Sequence, residues 1–260
     1  MRRIFILYLG AALALAACSK SDNDPQPDPN ETTCKVTSVK TDDETETIHY
    51  DEQERVKLLI VDYGSNNIDS TAFDYQDDKI IVTYVIHEEG YGETKRETHF
   101  TLDASGKIIS SEVHDKNEID ERYTYEYENN RIKSVSEQGK KFYDVTWNGD
   151  NVTKAAYTWD AFSQVRSFEY DTNENTTNLY IANLFPLRAE MEVYGIEALY
   201  EQGYLGEKSK NLISSENTTG GSIGTSSKSY TYTKDNNDNI ISIKTSSKES
   251  INYQLTYKCE

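Results

Sequence analysis

Hydrophobic and polar residues alternate along much of this chain, most clearly in the stretch that begins at Tyr123. Tyr123, Tyr125 and Tyr127 are separated by polar residues, and at a period of two their rings share one face of a strand. An Asn-Asn pair then favours a turn, because asparagine tolerates positive φ. A basic residue and an isoleucine open the return strand. The pattern predicts a β-hairpin.

Degenerate copies of this hairpin recur along the chain, and their return strands open with an apolar residue. Such residues are about 20 to 28 positions apart, which corresponds to two strands and two turns. They are Val56, Ile80, Ile108, Ile132 and Val152. We therefore expect a mainly β protein in which residues 34–260 form one domain, an antiparallel up-and-down meander that is curled or barrel-like.

The spacing of apolar residues inside some return strands departs from strict alternation. Ile132 and Val135, like Val56 and Leu59, are three positions apart, which would place them on opposite faces of a flat strand. A β-bulge, or a sheet covered on both faces, would explain this spacing. Both explanations stay open on the sequence alone.

The alternating pattern is interrupted between residues 182 and 217. Ile196, Leu199, Tyr200 and Tyr204 recur at helical spacing, with Glu197 and Glu201 largely off that face. We expect one short helix near 188–204 that caps an open end or one face of the sheet. The Ser-, Gly- and Thr-rich segment 214–228 is predicted to be a mobile loop.

The first seventeen residues have the composition of an export signal, with two arginines followed by an apolar run too short to span a bilayer. The end of this run resembles a bacterial lipobox, in which signal peptidase cleaves before a cysteine that carries a diacylglyceryl group. The residues of this motif are Leu15, Ala16, Ala17 and Cys18. We expect a lipoprotein signal peptide at 1–17 and an acylated Cys18 that partitions into membrane lipid. The alternative is an ordinary secretory signal.

Residues 18–33 contain several Asp and Pro residues and no apolar periodicity, as is typical of an extended, solvated tether. The acidic run 21–24 resembles the surface-export signal of Bacteroidota lipoproteins, and a plain spacer is the alternative. We expect a protein attached to the outer membrane that faces the cell surface or the periplasm.

The composition limits the classes of partner. Hydrophobic residues make up 36% of the chain, and 20 tyrosines supply much of the remaining burial. The formal net charge is −18, which makes nucleic acid an unfavourable partner, because binding phosphates requires a basic surface.

Cys34 and Cys259 flank the predicted β domain. In an oxidising compartment they would form a disulfide, and two separate thiols are the alternative. The first and last strands would then lie together, as in a closed or nearly closed sheet.

Motifs for catalysis or metal binding are weak. The chain has no P-loop and no Cys-x-x-Cys pair, and its four histidines are not at ligand spacing. The run Asp235-x-Asn237-x-Asn239 imitates a calcium loop but lacks the glycine and the final acid. We expect no metal, no cofactor and no enzymatic activity. A carbohydrate-active enzyme that uses a pair of carboxylates is the alternative.

Aromatic residues on the predicted strands allow a binding face for a glycan or for an envelope or host protein. Its residues would be Tyr123, Tyr125, Tyr127, Trp147, Trp159, Tyr230 and Tyr232. The competing interpretation is that these rings form the core of the sheet.

Taken together, the lipobox, the acidic tether, the two flanking cysteines and the Tyr-x-Tyr, turn, Arg-Ile units resemble a group of uncharacterised Bacteroidota lipoprotein domains described as porin-like. The segment 204–212 adds to this resemblance, which covers about residues 34–259, and the hairpins are also similar to YD repeats. The family implies a barrel-like fold and no established activity. An integral outer-membrane barrel is a further alternative, but charged residues on the predicted strands disfavour it. A lipid-anchored, non-catalytic binding or structural module is the favoured reading.

Overall fold

The computed structural model describes residues 34–88, 92–116, 118–160, 162–175, 179, 185–186, 193–221, 224–247 and 250–259. The predicted signal peptide and tether, with Leu15, Ala16, Ala17 and Cys18, lie outside the described residues.

Sixteen strands and one helix are defined within these residues. The strands are β1 (Cys34–Lys40), β2 (Thr45–Tyr50), β3 (Val56–Asp62), β4 (Ile68–Tyr75), β5 (Lys79–Glu88), β6 (Gly92–Leu102), β7 (Ile108–Asp115), β8 (Glu118–Glu128), β9 (Arg131–Glu137), β10 (Lys140–Asn148), β11 (Asn151–Trp159), β12 (Phe162–Glu174), β13 (Asn211–Gly220), β14 (Gly224–Lys234), β15 (Ile240–Ser246) and β16 (Asn252–Cys259). The helix α1 (Ile196–Glu201) lies between β12 and β13.

The strands form a closed antiparallel barrel in which each pairs with its neighbours along the chain and β1 pairs with β16. The predicted up-and-down meander is therefore confirmed, and the sheet closes. The barrel has two ends. At one end, β1 begins and β16 ends, and Cys34 and Cys259 are directly paired there and form a disulfide with Cα atoms 4.1 Å apart. We call this end the disulfide end. The opposite end is the far end.

Alternation places apolar residues inside the barrel and polar residues outside it. On β8, Tyr123 and Tyr125 are buried, whereas Arg122, Thr124 and Glu126 are exposed. Buried apolar side chains from around the barrel form one core. The barrel is thus built around an internal apolar core with a mainly polar outer surface, on which Ile109, Ile119 and Ile241 are exposed apolar residues.

A β-bulge explains the odd spacing within β9. Ile132 pairs with Tyr127 and Ser134 pairs with Glu126. Lys133, which lies between them, has no paired residue on β8 and is the extra residue of the bulge. Ile132 and Val135 are consequently both buried. The bulge alternative is confirmed, and the hairpins β2–β3, β6–β7, β10–β11 and β14–β15 contain register shifts at corresponding positions.

One hydrogen bond recurs around the barrel. An aromatic side chain near the end of one strand donates to the backbone carbonyl oxygen of an apolar residue near the start of the strand before it. Tyr127 donates its hydroxyl to the carbonyl oxygen of Ile108, and Lys107 lies over the Tyr127 ring at 5.4 Å from its centroid. Tyrosine hydroxyls make the same bond from Tyr50 to Val36, Tyr75 to Val56, Tyr170 to Val152, Tyr232 to Ile213 and Tyr257 to Ile240. At the equivalent position Trp147 donates its indole N–H to the carbonyl oxygen of Ile132. The repeated sequence unit is therefore a repeated contact between successive hairpins.

The helix α1 is shorter than predicted and lies within the barrel. It begins after Gly195, whose φ is 74°. A Cβ at Gly195 would lie 2.9 Å from the ring of Phe73. Residues 187–192, where the prediction began, lie outside the described residues. Glu201 was expected off the apolar face, but it is buried and its carboxylate lies 3.0 Å from the ammonium group of Lys208. A helix inside a barrel is surrounded by the strands of the barrel, so acidic side chains outside its apolar face are buried as well.

The segment from Gln202 to Ser209 lies at the disulfide end of the barrel. It accepts hydrogen bonds from backbone N–H groups at the start of three strands that contain bulges. Val56 donates its N–H to Gln202 Oε1 at 3.0 Å. Ile108 donates to the carbonyl oxygen of Tyr204 at 2.9 Å, and Val152 donates to Ser209 Oγ at 3.0 Å. We call residues 193–210 the plug.

The predicted loop at 214–228 is wrong, because most of this segment belongs to β13 and β14. Its residues are polar, yet Glu216 and Thr218 are buried on the inner side. β13 pairs with both β12 and β14. In a closed barrel each strand has a hydrogen-bonding neighbour on both sides, so strands of modest β-propensity are held by the ladder.

Candidate functional site

The residues of the predicted aromatic binding face lie on the inner side of the barrel. Tyr123, Tyr125 and Tyr230 retain 2%, 5% and 6% exposure and belong to the core. Four other rings are partly buried and packed against it, namely Tyr127, Trp147, Trp159 and Tyr232. The reason is the alternation itself, which turns the aromatic face toward the apolar interior of the closed sheet.

A different group of side chains lies toward the far end of the inner wall. We call it the acidic inner cluster, and it comprises Glu44, Glu46, Tyr63, Asp69, Tyr84, Tyr194 and Glu197. Glu46 shares the inner face of β2 with Ile48, and Asp69 shares that of β4 with Phe73. Tyr194 and Glu197 come from the plug, so the cluster joins wall and plug.

Asp69 accepts hydrogen bonds from two tyrosines. The hydroxyl of Tyr84 donates to Asp69 Oδ2, and the hydroxyl of Tyr63 donates to the same oxygen at 3.3 Å. The ring of Tyr84 stacks on that of Tyr194, with centroids 3.9 Å apart and planes 14° from parallel. These contacts fix the position of the Asp69 carboxylate on the wall.

Glu46 has the most perturbed carboxyl group in this cluster. Burial, followed by the charges of Glu197 and Glu44, raises the pKa of Glu46 to about 8. Burial, and then the charge of Asp43, also raises the pKa of Glu44. Among the described residues, none donates a hydrogen bond to the Glu46 carboxyl group. At neutral pH Glu46 is therefore mainly protonated, and it lies between groups of negative charge.

The neighbouring tyrosines are also held in their neutral form. Burial, followed by the charge of Asp69, raises the pKa of Tyr63 to about 12. Burial and the hydrogen bond to Asp69 raise the pKa of Tyr84 further. Both hydroxyls consequently remain hydrogen-bond donors across the physiological range of pH.

A second buried polar group, on β12 and β13, has its partners within the protein. Arg166 Nε lies 2.8 Å from Glu216 Oε1, and Arg166 Nη2 lies 3.0 Å from Glu216 Oε2. The guanidinium also donates to the carbonyl oxygens of Phe185 and Pro186 at 2.9 and 3.0 Å. Burial alone would raise the pKa of Glu216, but hydrogen bonds and charge from Arg166 lower it. This pair fastens residues 185–186 to the inner wall.

The histidines and acidic turns were also tested as metal ligands. His99 and His114 are neighbours in space, with ring centroids 4.2 Å apart, which their spacing in sequence did not reveal. Within the described part of the chain, no three His, Cys, Asp or Glu residues are grouped as a metal ion requires. Asp235 Oδ1 instead accepts the backbone N–H groups of Asn237 and Asn239 at 2.8 and 2.9 Å, so the calcium-like run is a turn.

Glu46, Asp69 and Glu197 are not among the site residues predicted from the sequence. A usable signal was present for the first two, because Glu46 is in phase with Ile48, and Asp69 is in phase with Phe73. Extending the two-residue period along each strand places both carboxylates on the inner face. The position of Glu197 beside Glu46 depends on the return of the plug into the barrel, for which the sequence has no comparable signal.

No helix among the described residues is long and apolar enough to cross a membrane.

Comparison with known proteins identifies the fold. No family model matches this chain, and no curated protein matches it. A crystal structure of a porin-like protein from Bacteroides uniformis ATCC 8492 is similar, with a TM-score of 0.63, 16% sequence identity and coverage of 86% of this chain and 95% of that chain. A porin-like protein from Bacteroides vulgatus ATCC 8482 is similar with a TM-score of 0.58, 15% identity and coverage of 87% and 99%. This chain therefore has the fold of these porin-like barrels.

Proposed function

We propose that this protein is a lipid-anchored, water-exposed barrel of the outer membrane that acts as a non-catalytic binding module. The observation that carries this proposal is the polarity of the wall. Outward side chains such as Arg122, Thr124 and Glu126 are exposed, most apolar residues face inward, and five large apolar side chains of the described residues are exposed. A barrel embedded in lipid requires the opposite arrangement, with an apolar outer band.

The position of the chain ends supports a tethered arrangement. Cys34, where the predicted tether reaches the barrel, lies at the disulfide end beside Cys259. The plug closes this same end. The acidic inner cluster lies toward the far end, opposite the end that holds Cys34.

Cleavage of the tether tests this arrangement against an integral barrel. A specific protease site inserted between Pro29 and Asn30 would allow the barrel to be cut from its anchor in isolated membranes. We expect the cut barrel to appear in the soluble fraction with its disulfide intact, and the uncut protein to remain with the membrane. A barrel that stays in the membrane after complete cleavage would support the integral alternative and overturn the proposal.

Mass spectrometry of the mature N-terminus tests the anchor. We expect cleavage before Cys18 and a mass that includes acyl chains. Cys18→Ala should accumulate as an uncleaved precursor, whereas Cys34→Ser should be acylated normally. Protease treatment of intact cells, with a periplasmic protein followed as a control, then distinguishes exposure at the cell surface from a periplasmic orientation.

One observation favours a second candidate, the carboxylate-dependent carbohydrate enzyme. A carboxyl group protonated at neutral pH beside a second carboxyl group is the arrangement that acid catalysis of glycoside hydrolysis uses, and Glu46 is protonated at neutral pH beside Glu44 and Glu197. A glycan array followed by a turnover assay separates the candidates. Product formation that disappears in Glu46→Gln would establish the enzyme, and binding without turnover would support the binding module.

A further inference from the structure

We propose that the outer faces of β3, β4 and β5 form a contact surface for a second copy of this protein. This inference goes beyond the proposed binding function, and it rests on the proposed anchoring, which holds the copies in one membrane.

Apolar side chains adjoin one another on the outer face of these three strands. Ala72 lies between Thr71 and Phe73, which are both buried, so alternation along β4 directs Ala72 outward. Residues that are paired across an antiparallel ladder share a face, and the pairing of β4 with β3 and β5 therefore places further apolar residues on the outside. We call these residues the apolar outer patch, and they are the exposed or partly exposed Leu58, Ile60, Ile68, Ala72, Ile81 and Val85.

The apolar outer patch has a groove beside a ridge. On β4 the outward residues Ser70 and Ala72 are small, and the residues of β3 paired with them are the larger Ile60 and Leu58. The ridge of one copy therefore fits the groove of another when a two-fold axis runs parallel to the strands between β3 and β4. In this arrangement Ile60 of each copy contacts Ser70 of the other, and Leu58 of each copy contacts Ala72 of the other.

The charges at the two sides of the patch are complementary under the same symmetry. One row of paired residues crosses the wall from β1 to β6 and consists of Lys40, Thr45, Asp62, Ile68, His87 and Glu93. An axis between β3 and β4 exchanges β1 with β6, so Lys40 of each copy faces Glu93 of the other. Both side chains are exposed, and among the described residues neither forms an ion pair. Two opposite-charge contacts are therefore available to a second copy.

The centre of the contact carries little charge, although the net charge of the chain is −18. Asp62 and Asp74 lie at opposite ends of the patch, and the outward positions between them on β3, β4 and β5 are apolar residues, a serine, a threonine and a histidine. Two acidic chains can thus approach through this face without placing carboxylates against each other at its centre. A lipid surface would not use the reciprocal arrangement of Lys40 and Glu93, which favours a second copy as the occupant.

The area of this face indicates a weak contact. Three strands about 4.8 Å apart and about 23 Å long cover roughly 300 Å², and β2 and β6 extend this to roughly 550 Å². A standard interface buries about 800 Å² on each partner, so the pair would dissociate readily in dilute solution. Two barrels anchored in one membrane have a high effective concentration, which compensates for a weak contact. We therefore expect the pair to form in the membrane.

Cross-linking of the full chain in isolated membranes tests the contact. Ala72→Cys places a thiol in the patch, and Ala156→Cys is the matched control on the outer face of β11, since Ala156 lies between the buried residues Ala155 and Tyr157. Cys34 and Cys259 are joined in a disulfide, and the predicted acylation occupies Cys18. After treatment with a short bis-maleimide, we expect at least about fivefold more cross-linked dimer from Ala72→Cys than from Ala156→Cys.

Further substitutions, each combined with Ala72→Cys, identify the residues in contact. Ile60→Lys should lower the yield of dimer by at least about tenfold, whereas Ile109→Lys, at an exposed isoleucine of β7, should change it by less than about twofold. Lys40→Glu and Glu93→Lys should each lower the yield by about threefold or more, because like charges then face each other. The double variant Lys40→Glu, Glu93→Lys reverses both contacts and should recover most of the yield. Thermal unfolding of each variant verifies that it is folded.

Three results would overturn the inference. These are equal cross-linking of Ala72→Cys and Ala156→Cys, equal effects of Ile60→Lys and Ile109→Lys, and a charge-reversed double variant that cross-links as poorly as the single ones. Protection of the Ala72→Cys thiol from a water-soluble maleimide, without any dimer, would also overturn it and would indicate a lipid surface as the occupant.

The outcomes for the proposed function are distinct from these. A barrel that leaves the membrane after tether cleavage, but whose Ala72→Cys variant does not cross-link above its control, overturns the contact between copies and leaves the anchored barrel intact. A barrel that remains in the membrane overturns the proposed function whatever the cross-linking shows.

Discussion

Trp147 donates its indole N–H to the carbonyl oxygen of Ile132 at 2.8 Å, although the two residues are 15 positions apart. Arg131, which precedes Ile132, lies over the Trp147 ring with its guanidinium carbon 5.0 Å from the centroid. Tyr50, Tyr75 and Tyr127 likewise combine the hydrogen bond to the preceding hairpin with a cation–π contact from the basic residue before the acceptor. This relationship gives the Tyr-x-Tyr, turn, Arg-Ile unit a physical meaning.

Removal of one hydroxyl from this series should destabilise the barrel. Tyr232→Phe deletes the 2.7 Å bond to the carbonyl oxygen of Ile213 and keeps the ring. We expect a loss of about 1 to 2 kcal/mol in the free energy of unfolding, because a partly buried carbonyl loses its donor. Chemical denaturation measures this loss. Thr231→Val, which removes an exposed hydroxyl from the same strand, is the control, and an equal loss in both variants would contradict the role assigned to the series.

A pair of glycines in the plug should respond differently to alanine. Gly206 and Gly203 both have positive φ, 82° and 86°, but a Cβ at Gly206 would lie 2.3 Å from the carbonyl oxygen of Asn130, whereas a Cβ at Gly203 would meet no atom within 4 Å. We expect Gly203→Ala to cost about 1 kcal/mol from backbone strain alone. Gly206→Ala should cost clearly more, because the plug must move away from the β8–β9 turn. Equal unfolding midpoints for the two variants would contradict this account.

The buried ion pair of Arg166 and Glu216 should be sensitive to the loss of one partner. Arg166→Met leaves the Glu216 carboxylate buried without its cation, and we expect a loss of about 3 to 5 kcal/mol. The double variant Arg166→Met, Glu216→Gln removes the stranded charge and should recover part of that loss. Urea denaturation of both single variants and the double variant provides the coupling energy. Additive losses would mean that the two side chains do not act as a pair.

The stability of the barrel should depend on pH through Glu46. The folded barrel raises the pKa of this carboxyl group from 4.5 to about 8, so between these values the unfolded chain releases a proton that the folded barrel keeps. The contribution of Glu46 is therefore neutral below pH 4.5, becomes unfavourable as the pH rises, and reaches its full unfavourable value above pH 8.

Glu46→Gln removes this penalty, so it should be more stable than the natural protein at pH 8 by on the order of 2 to 4 kcal/mol. The difference should vanish near pH 4. Denaturation at several pH values measures it, and Glu93→Gln serves as the control for the change in total charge. A difference that does not change with pH would contradict a raised pKa at Glu46.

The disulfide should stabilise the barrel by joining its first and last strands. Cys34 and Cys259 are separated by 225 positions in sequence, so the crosslink restricts nearly the whole unfolded domain. We expect the double variant Cys34→Ser, Cys259→Ser to lose about 2 to 5 kcal/mol. Chemical denaturation with and without a reducing agent measures this, and the double variant should be insensitive to the agent.

Several features of the fold were predictable because they depend on local patterns. The alternation in Tyr123, Tyr125 and Tyr127 correctly predicts a strand with one aromatic face, and the spacing of Ile132 and Val135 correctly allows a bulge. The segment 214–228 was predicted wrongly, because its Ser and Thr residues have no apolar alternation and are held as strands by neighbours on both sides.

The candidate site was less predictable than the fold. The aromatic residues attract attention in a sequence because large rings often bind ligands, yet their alternation directs them into the core. Glu46 is one of 45 acidic residues, and what distinguishes it is burial beside Glu44 and Glu197. Those neighbours are a property of the assembled barrel and plug.

The sequence by itself determined the strand repeats, the inward phase of each strand and the register of the turns, since these depend on residues within about twenty positions of one another. The tertiary structure alone decided that the sheet closes, that the chain after β12 returns inside the barrel, and that Glu46, Asp69 and Glu197 share one inner surface. The physical reason is that such long-range pairings depend on the summed geometry of sixteen strands, which no single stretch of the chain encodes.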